Sequence, residues 1–128
     1  MLRSRSPWTR SWWHELARSV RHRRLITGWG HSPFGKLVDE TLESLVVSVA
    51  REALDNAGIE PGQVDEIYLG QFNSGMHPLG FASSLALQVS DDLAGVPATR
   101  VENACGSGSA AVQQGIRRYW PAPPAPCW

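Results

Sequence analysis

The chain has 128 residues and 42% apolar content, enough for one modest domain with a real core. Its net charge of zero hides a segregation: residues 1–24 carry seven arginines against Glu15, residues 25–116 carry eleven carboxylates against Lys36, Arg51 and Arg100, and Arg117 and Arg118 follow. Two cysteines, Cys105 and Cys127, make no CxxC pair or disulfide framework, and the longest apolar run, residues 45–50, is far too short to cross a bilayer. Disulfide scaffolds, metal ribbons and transmembrane proteins are therefore excluded, and no nucleic-acid partner is expected of the acidic middle.

Residues 1–24 are rich in Arg and Ser, and on a helix Trp8, Trp12, Leu16 and Val20 would share one face. That pattern fits a mitochondrial transit peptide or a basic surface helix, although Arg-rich sequence often shows it by chance. A disordered or helical extension outside the domain is expected. Residues 25–30 then read as a short strand entering a Gly-rich turn. Asp39 or Thr41 is placed to cap a helix whose apolar positions are Leu42, Leu45, Val46, Val49, Ala53, Leu54 and Ala57, a one-sided stripe. Gly58 supplies a left-handed end and Pro61 stops continuation. Residues 64–72 read as a second strand centred on Ile67, Tyr68 and Leu69. A second helix is expected over residues 79–93, a third strand over residues 99–104, and a third helix opening at Cys105. The Pro- and Ala-rich residues 118–128 read as an unrelated tail. This β-α-β-α-β-α order argues for a partial α/β domain over residues 25–117 with a mostly parallel sheet.

The chemistry concentrates at the third strand–helix junction. In open α/β sheets, ligands bind beyond the carboxyl ends of the strands. A cysteine at that place meets the positive end of a helix, which favours thiolate, and a thiolate is a good acyl acceptor. Gly106 and Gly108 leave room for a bulky thioester to approach Cys105, and Gly106, Ser107 and Gly108 are the candidate substrate-binding residues. On spacing alone, however, an isolated cysteine is more often a small buried hydrophobe.

Other features carry less. Gly28-Trp29-Gly30 fails as a dinucleotide loop because Pro33 occupies the third glycine position, and a flavodoxin-like nucleotide-binding reading lacks a phosphate loop. His31 and His77 lack metal-ligand spacing and read as turn or surface histidines. Asp91 and Asp92 read as a solvated helix end, and Glu102 and Asn103 as structural hydrogen-bonding neighbours of the cysteine.

Four stretches taken together, residues 26–35, 53–58, 64–70 and 101–112, resemble the opening of thiolases of the acetyl-CoA acetyltransferase and sterol-carrier-protein types. The most specific piece is Asn103-Ala104-Cys105-Gly106-Ser107-Gly108, since related ketosynthases show further serines after their cysteine. The resemblance implies that Cys105 takes an acyl group from acyl-CoA, its backbone N–H helping to hold the thioester oxygen. The acyl group would then pass to coenzyme A in thiolysis, or to a second acyl-CoA in Claisen condensation. It implies no resident cofactor, coenzyme A entering as substrate, and a homo-oligomeric intact enzyme, while the sparse cysteines suit a reducing cytoplasm.

Thiolases are much longer and built from two similar α/β halves, and their histidines and second cysteine lie in later motifs with no counterpart here. The resemblance stops near Arg117, which implies a truncated chain that does not turn over by itself. A different reading is a non-catalytic subunit that completes itself by docking on a thiolase-like partner.

Overall fold

The computed structural model describes residues 25–72 and 77–119. The expectations for residues 1–24, for Cys127 and for the tail from residue 120 lie outside the described residues.

Helix α1 spans Leu42–Ala57. Thr41, not Asp39, caps it: the Thr41 hydroxyl accepts from the Ser44 N–H (3.1 Å) and the Ser44 hydroxyl accepts from the Thr41 N–H (2.9 Å). Gly58 closes the helix in the left-handed region at φ 65°, as its position predicts. The expected stripe faces inward: Leu42, Leu45, Val46, Val49, Ala53, Leu54 and Ala57 are half-buried while Glu43, Ser44, Arg51, Glu52 and Asp55 are exposed. A short 3₁₀ turn, Pro61–Gln63, leads into strand β1, Ile67–Gly70. Strand β2, Ala98–Val101, runs parallel to β1 with Ile67 opposite Ala98 and Gly70 opposite Val101. Helix α2 spans Ser107–Arg118.

The α/β character and the parallel pairing agree with expectation, and the element order needs two corrections. Residues 25–30 form no strand. Gly28 and Gly30 instead bring that extended segment directly onto α1: a Cβ on Gly28 would lie 2.5 Å from the Ala53 carbonyl oxygen, and one on Gly30 would lie 2.4 Å from that of Val49. Side chains of α1 take up its backbone, since Trp29 N–H donates to Asn56 Oδ1 (3.3 Å) and His31 N–H to Glu52 Oε2 (3.1 Å). The sheet accordingly has two strands among the described residues.

The second helix is not α-helical. Residues Ala82–Val89 and Asp91–Leu93 form two 3₁₀ segments broken at Ser90, which is extended and whose hydroxyl accepts from Asp92 N–H (3.2 Å). Serine hydroxyls drawn to the backbone favour this tighter winding: Ser84 Oγ donates to the Phe81 carbonyl (2.9 Å), and Ser83 Oγ reaches across to the Ala98 carbonyl of β2 (3.1 Å). The strands are also shorter than expected, and α2 starts two residues later than expected.

Among the described residues the buried apolar ones are Ala82, Leu85, Ala86, Leu93 and Ala111, so the core sits where the 3₁₀ segment is pressed between α1 and the sheet. Beside it an apolar cleft of about 290 Å³ opens between Gly28, Ala53, Ala57, Ile67 and Leu93. No helix among the described residues is long and apolar enough to cross a membrane.

Candidate active site at the β2–α2 corner

Five residues turn the chain from β2 into α2. Gly106 N–H donates to the Asn103 carbonyl (2.8 Å) and Ser107 N–H to that of Ala104 (3.2 Å). Closing so tight a corner puts Ala104 at φ 42°, the only positive φ on a non-glycine among the described residues. A side chain in that region costs about 1–2 kcal/mol. Ser107 holds the geometry: 5% exposed, its hydroxyl accepts from Asn103 N–H (2.8 Å) and donates to the Ala104 carbonyl (2.8 Å).

Cys105 stands at the outer point of this corner, beyond the carboxyl end of the parallel strands. It is a free, exposed thiol, so the reading as a small buried hydrophobe does not apply. It precedes Gly106, the cap residue of α2, rather than opening the helix. Gly106 brings no side chain to cap the first turn, whose earliest internal bond runs from Ala110 N–H to the Gly106 carbonyl (2.9 Å). The N–H groups of Gly108 and Ser109 are left without an acceptor among the described residues and can receive an anion or a polarised oxygen. Ample space adjoins Gly108, where nothing lies within 4 Å of a Cβ position, whereas a Cβ on Gly106 would sit 3.3 Å from the Asn103 carbonyl oxygen.

Glu102 and Asn103 take the structural parts expected of them. Glu102 pairs with Arg100 (2.7 Å), whose guanidinium also donates to the Gln71 carbonyl (3.3 Å), and Asn103 supplies the two backbone bonds already named. His77 accepts from Leu79 N–H through Nδ1 (3.2 Å), a turn role, and Asp91 and Asp92 are exposed at the start of their 3₁₀ segment. No group of three metal-binding side chains occurs among the described residues. Gly70 was not foreseen as a site residue. A Cβ there would lie 2.5 Å from the Ser107 carbonyl oxygen and 2.7 Å from Gly108 Cα, so the bare end of β1 is what lets the first turn of α2 lie against the sheet. Its signal in the sequence is a glycine closing an apolar strand run.

The far end of α2 is tied to the entry of β1. Arg118 Nε donates to Glu66 Oε1 (2.9 Å), Tyr68 donates to Glu66 Oε2 (2.9 Å), and Tyr119 donates to Asp65 (3.3 Å). The guanidinium, and then the phenol, hold the Glu66 carboxyl below the usual carboxylate range, while the bond to Glu66 pushes the Tyr68 phenol up. Burial, then Asp65, raises Tyr119. Both ends of α2 are thus fixed to the sheet, one by polar bonds and one by a glycine contact.

The family profile described as "Thiolase, N-terminal domain" matches residues 25–118. Proteins named acetyl-CoA acetyltransferase are similar to the chain: that of Methanocaldococcus jannaschii is 34% identical over 91 residues, covering 71% of this chain and 23% of the relative. That of Methanothermobacter thermautotrophicus is 30% identical over 91 residues, covering 71% and 24%. That of Pseudomonas aeruginosa is 36% identical over 86 residues, covering 65% and 21%. The chain therefore spans less than a quarter of the length of these relatives. A strand–corner–helix unit with an exposed cysteine at the carboxyl end of a parallel sheet, matched over residues 25–118, belongs to the thiolase family as its N-terminal domain.

Proposed function

We propose that the chain carries the acyl-accepting part of a thiolase-type acyltransferase, with Cys105 as nucleophile and an acyl-CoA as donor. The single observation that supports this most is the exposure of Cys105 on a strained, clamped corner in front of an uncapped helix N-terminus. In the proposed step the Cys105 thiolate attacks the thioester carbonyl carbon. The new C–S bond forms as the bond to the coenzyme A sulfur breaks, and coenzyme A leaves as a thiolate that takes a proton from water. The Cys105 N–H would help to hold the carbonyl oxygen, the N–H groups of Gly108 and Ser109 add positive potential, and the space beside Gly108 admits the thioester. Ser107 is committed to the corner, so its contribution is indirect. No resident cofactor is invoked.

Transfer of the acyl group onward, by thiolysis or Claisen condensation, needs an acid–base group at the sulfur. Among the described residues no side chain hydrogen-bonds to Cys105, so the 128-residue chain by itself is proposed to form an acyl-enzyme without steady turnover. The homo-oligomeric state and the reducing, cytoplasmic setting that keeps the thiol free belong to the same proposal. Incubating the full chain with acetyl-CoA and mapping acetylated peptides tests it. Acetyl on Cys105, absent from Cys105→Ala, supports the reading; an unmodified Cys105 beside other acetylated sites overturns it. Rapid cleavage of acetoacetyl-CoA by the chain would overturn the claim that turnover is lacking.

A second reading, a non-catalytic subunit docking on a thiolase-like partner, draws on the exposure of Val112, Ile116 and Tyr119 along one side of α2. A stoichiometric thiolase-like protein co-purifying with the chain, combined with an inert Cys105, is the outcome that favours it.

A further inference from the structure

We infer that Ser107 is a positioning residue: its buried hydroxyl holds Ala104 in the left-handed region and thereby sets how Cys105 is presented. The inference rests on the reading of Cys105 as acyl acceptor and adds what keeps it in place. Three observations converge on it. Among the described residues Ala104 is the one non-glycine with positive φ, and it directly precedes Cys105. Without a restraint an alanine there relaxes toward ordinary backbone, which would swing the next residue away from the helix terminus.

The restraint is visible on both sides of Ala104. Ser107 Oγ takes the N–H of Asn103, the residue before, and gives its proton to the carbonyl of Ala104 itself, both at 2.8 Å. Ser107 is 5% exposed, and the Asn103 N–H would lose this acceptor if the hydroxyl were removed. Gly70 completes the arrangement from below, since only a residue without a side chain leaves room for Ser107 and Gly108 to press on β1. Both hydrogen bonds of the Ser107 hydroxyl go to the backbone of the corner. The residue acts through Ala104.

The test uses the full chain as wild type, Ser107→Ala, Ser107→Thr, and the double variant Ala104→Gly/Ser107→Ala. The readout is the pH profile of Cys105 alkylation by iodoacetamide, followed on the Cys105 peptide so that Cys127 does not interfere, with circular dichroism beside it. The expected result is that Ser107→Ala moves the profile at least threefold in rate toward that of the urea-unfolded chain. Ser107→Thr, which keeps the hydroxyl, should hold the wild-type profile. The double variant should recover most of the change, because glycine adopts the left-handed corner without a clamp.

If Ser107→Ala does not fold, the double variant carries the comparison: a folded double variant with a near wild-type profile supports the inference, and an unfolded one overturns it. A folded Ser107→Ala with an unchanged profile, or a change that Ala104→Gly does not relieve, overturns it too. Acetylation by acetyl-CoA separates the two claims. A Cys105 that never acetylates but whose alkylation depends on Ser107 defeats the proposed function and leaves the positioning intact.

Discussion

Replacing Gly70 with alanine tests the contact that seats α2 on the sheet. The new Cβ would lie 2.5 Å from the Ser107 carbonyl oxygen, 2.6 Å from its carbonyl carbon and 2.7 Å from Gly108 Cα. All three are backbone atoms, so no rotamer change can relieve the overlap. Restoring ordinary contact means moving the start of α2 about 1 Å off the strand, taking roughly 3.5 Å as close van der Waals separation. The far end of the helix resists, because Arg118 and Tyr119 are bonded to Glu66 and Asp65. Overpacking of this kind costs about 1–3 kcal/mol, which for a domain of this size lowers the melting temperature by about 4–8 °C per kcal/mol. Urea melts followed by circular dichroism read the loss, and alkylation of Cys105 reads its local effect. Gly58→Ala is the control. It forces a side chain to φ 65° at a comparable cost of about 1 kcal/mol, but at the end of α1 rather than beside the corner. Gly70→Ala should change both stability and Cys105 reactivity, and Gly58→Ala stability alone. Unchanged stability in Gly70→Ala, or an equal shift of Cys105 reactivity in Gly58→Ala, refutes the reasoning.

Three further outcomes are expected. Gly108→Ala adds a methyl group into open space on a helical residue, so stability should hold or rise by up to about 1 kcal/mol, while acetylation of Cys105 by acetyl-CoA slows relative to alkylation by the smaller iodoacetamide. Equal slowing of both reagents would count against thioester approach past Gly108. Thr41→Ala removes the capping box of α1 and should cost about 1 kcal/mol in a urea melt, with Cys105 reactivity unaltered. The third concerns pH. The Glu66 carboxyl is held below its unfolded value, so its contribution is complete above the ordinary carboxylate range and fades as pH falls through that range and the folded value. Wild type should therefore lose stability relative to Glu66→Gln on acidification, and parallel curves for the two proteins from neutral pH to pH 3 would contradict the Arg118 tie.

What the sequence conveys and what it hides divide along the range of the interactions involved. Helix α1 is legible because its signals are local: an apolar stripe at three- and four-residue spacing, a threonine before it and a glycine after it. The parallel pairing of residues 67–70 with 98–101 follows from two short strand segments separated by a crossover. Residues 25–30 mislead because two glycines at alternate positions look like a strand entering a turn, and only the helix packed against them shows that they serve close approach. Residues 82–93 mislead for a related reason. Their apolar spacing suits a helix, but Ser83 is drawn to β2, Ser84 binds back to its own turn, and Ser90 caps a fresh segment.

The candidate site shows the same division within six residues. Cys105, Gly106 and Gly108 announce themselves by chemistry and by the absence of side chains. The strain on Ala104 and the work of Ser107 do not, because an alanine gives no sign that its backbone is left-handed, and a serine between two glycines reads as a loop residue or ligand contact. Gly70 lies 35 residues before Cys105 in the chain and touches the corner only after β1 and α2 have packed. The proposed nucleophile can therefore be singled out by its residue type together with the family resemblance, whereas its presentation depends on a corner built by neighbours whose identities look ordinary. Substituting Ser107 or Gly70 should consequently do to Cys105 what no inspection of Cys105 alone would suggest: leave the thiol in the chain and take away the geometry on which its proposed role as acyl acceptor rests.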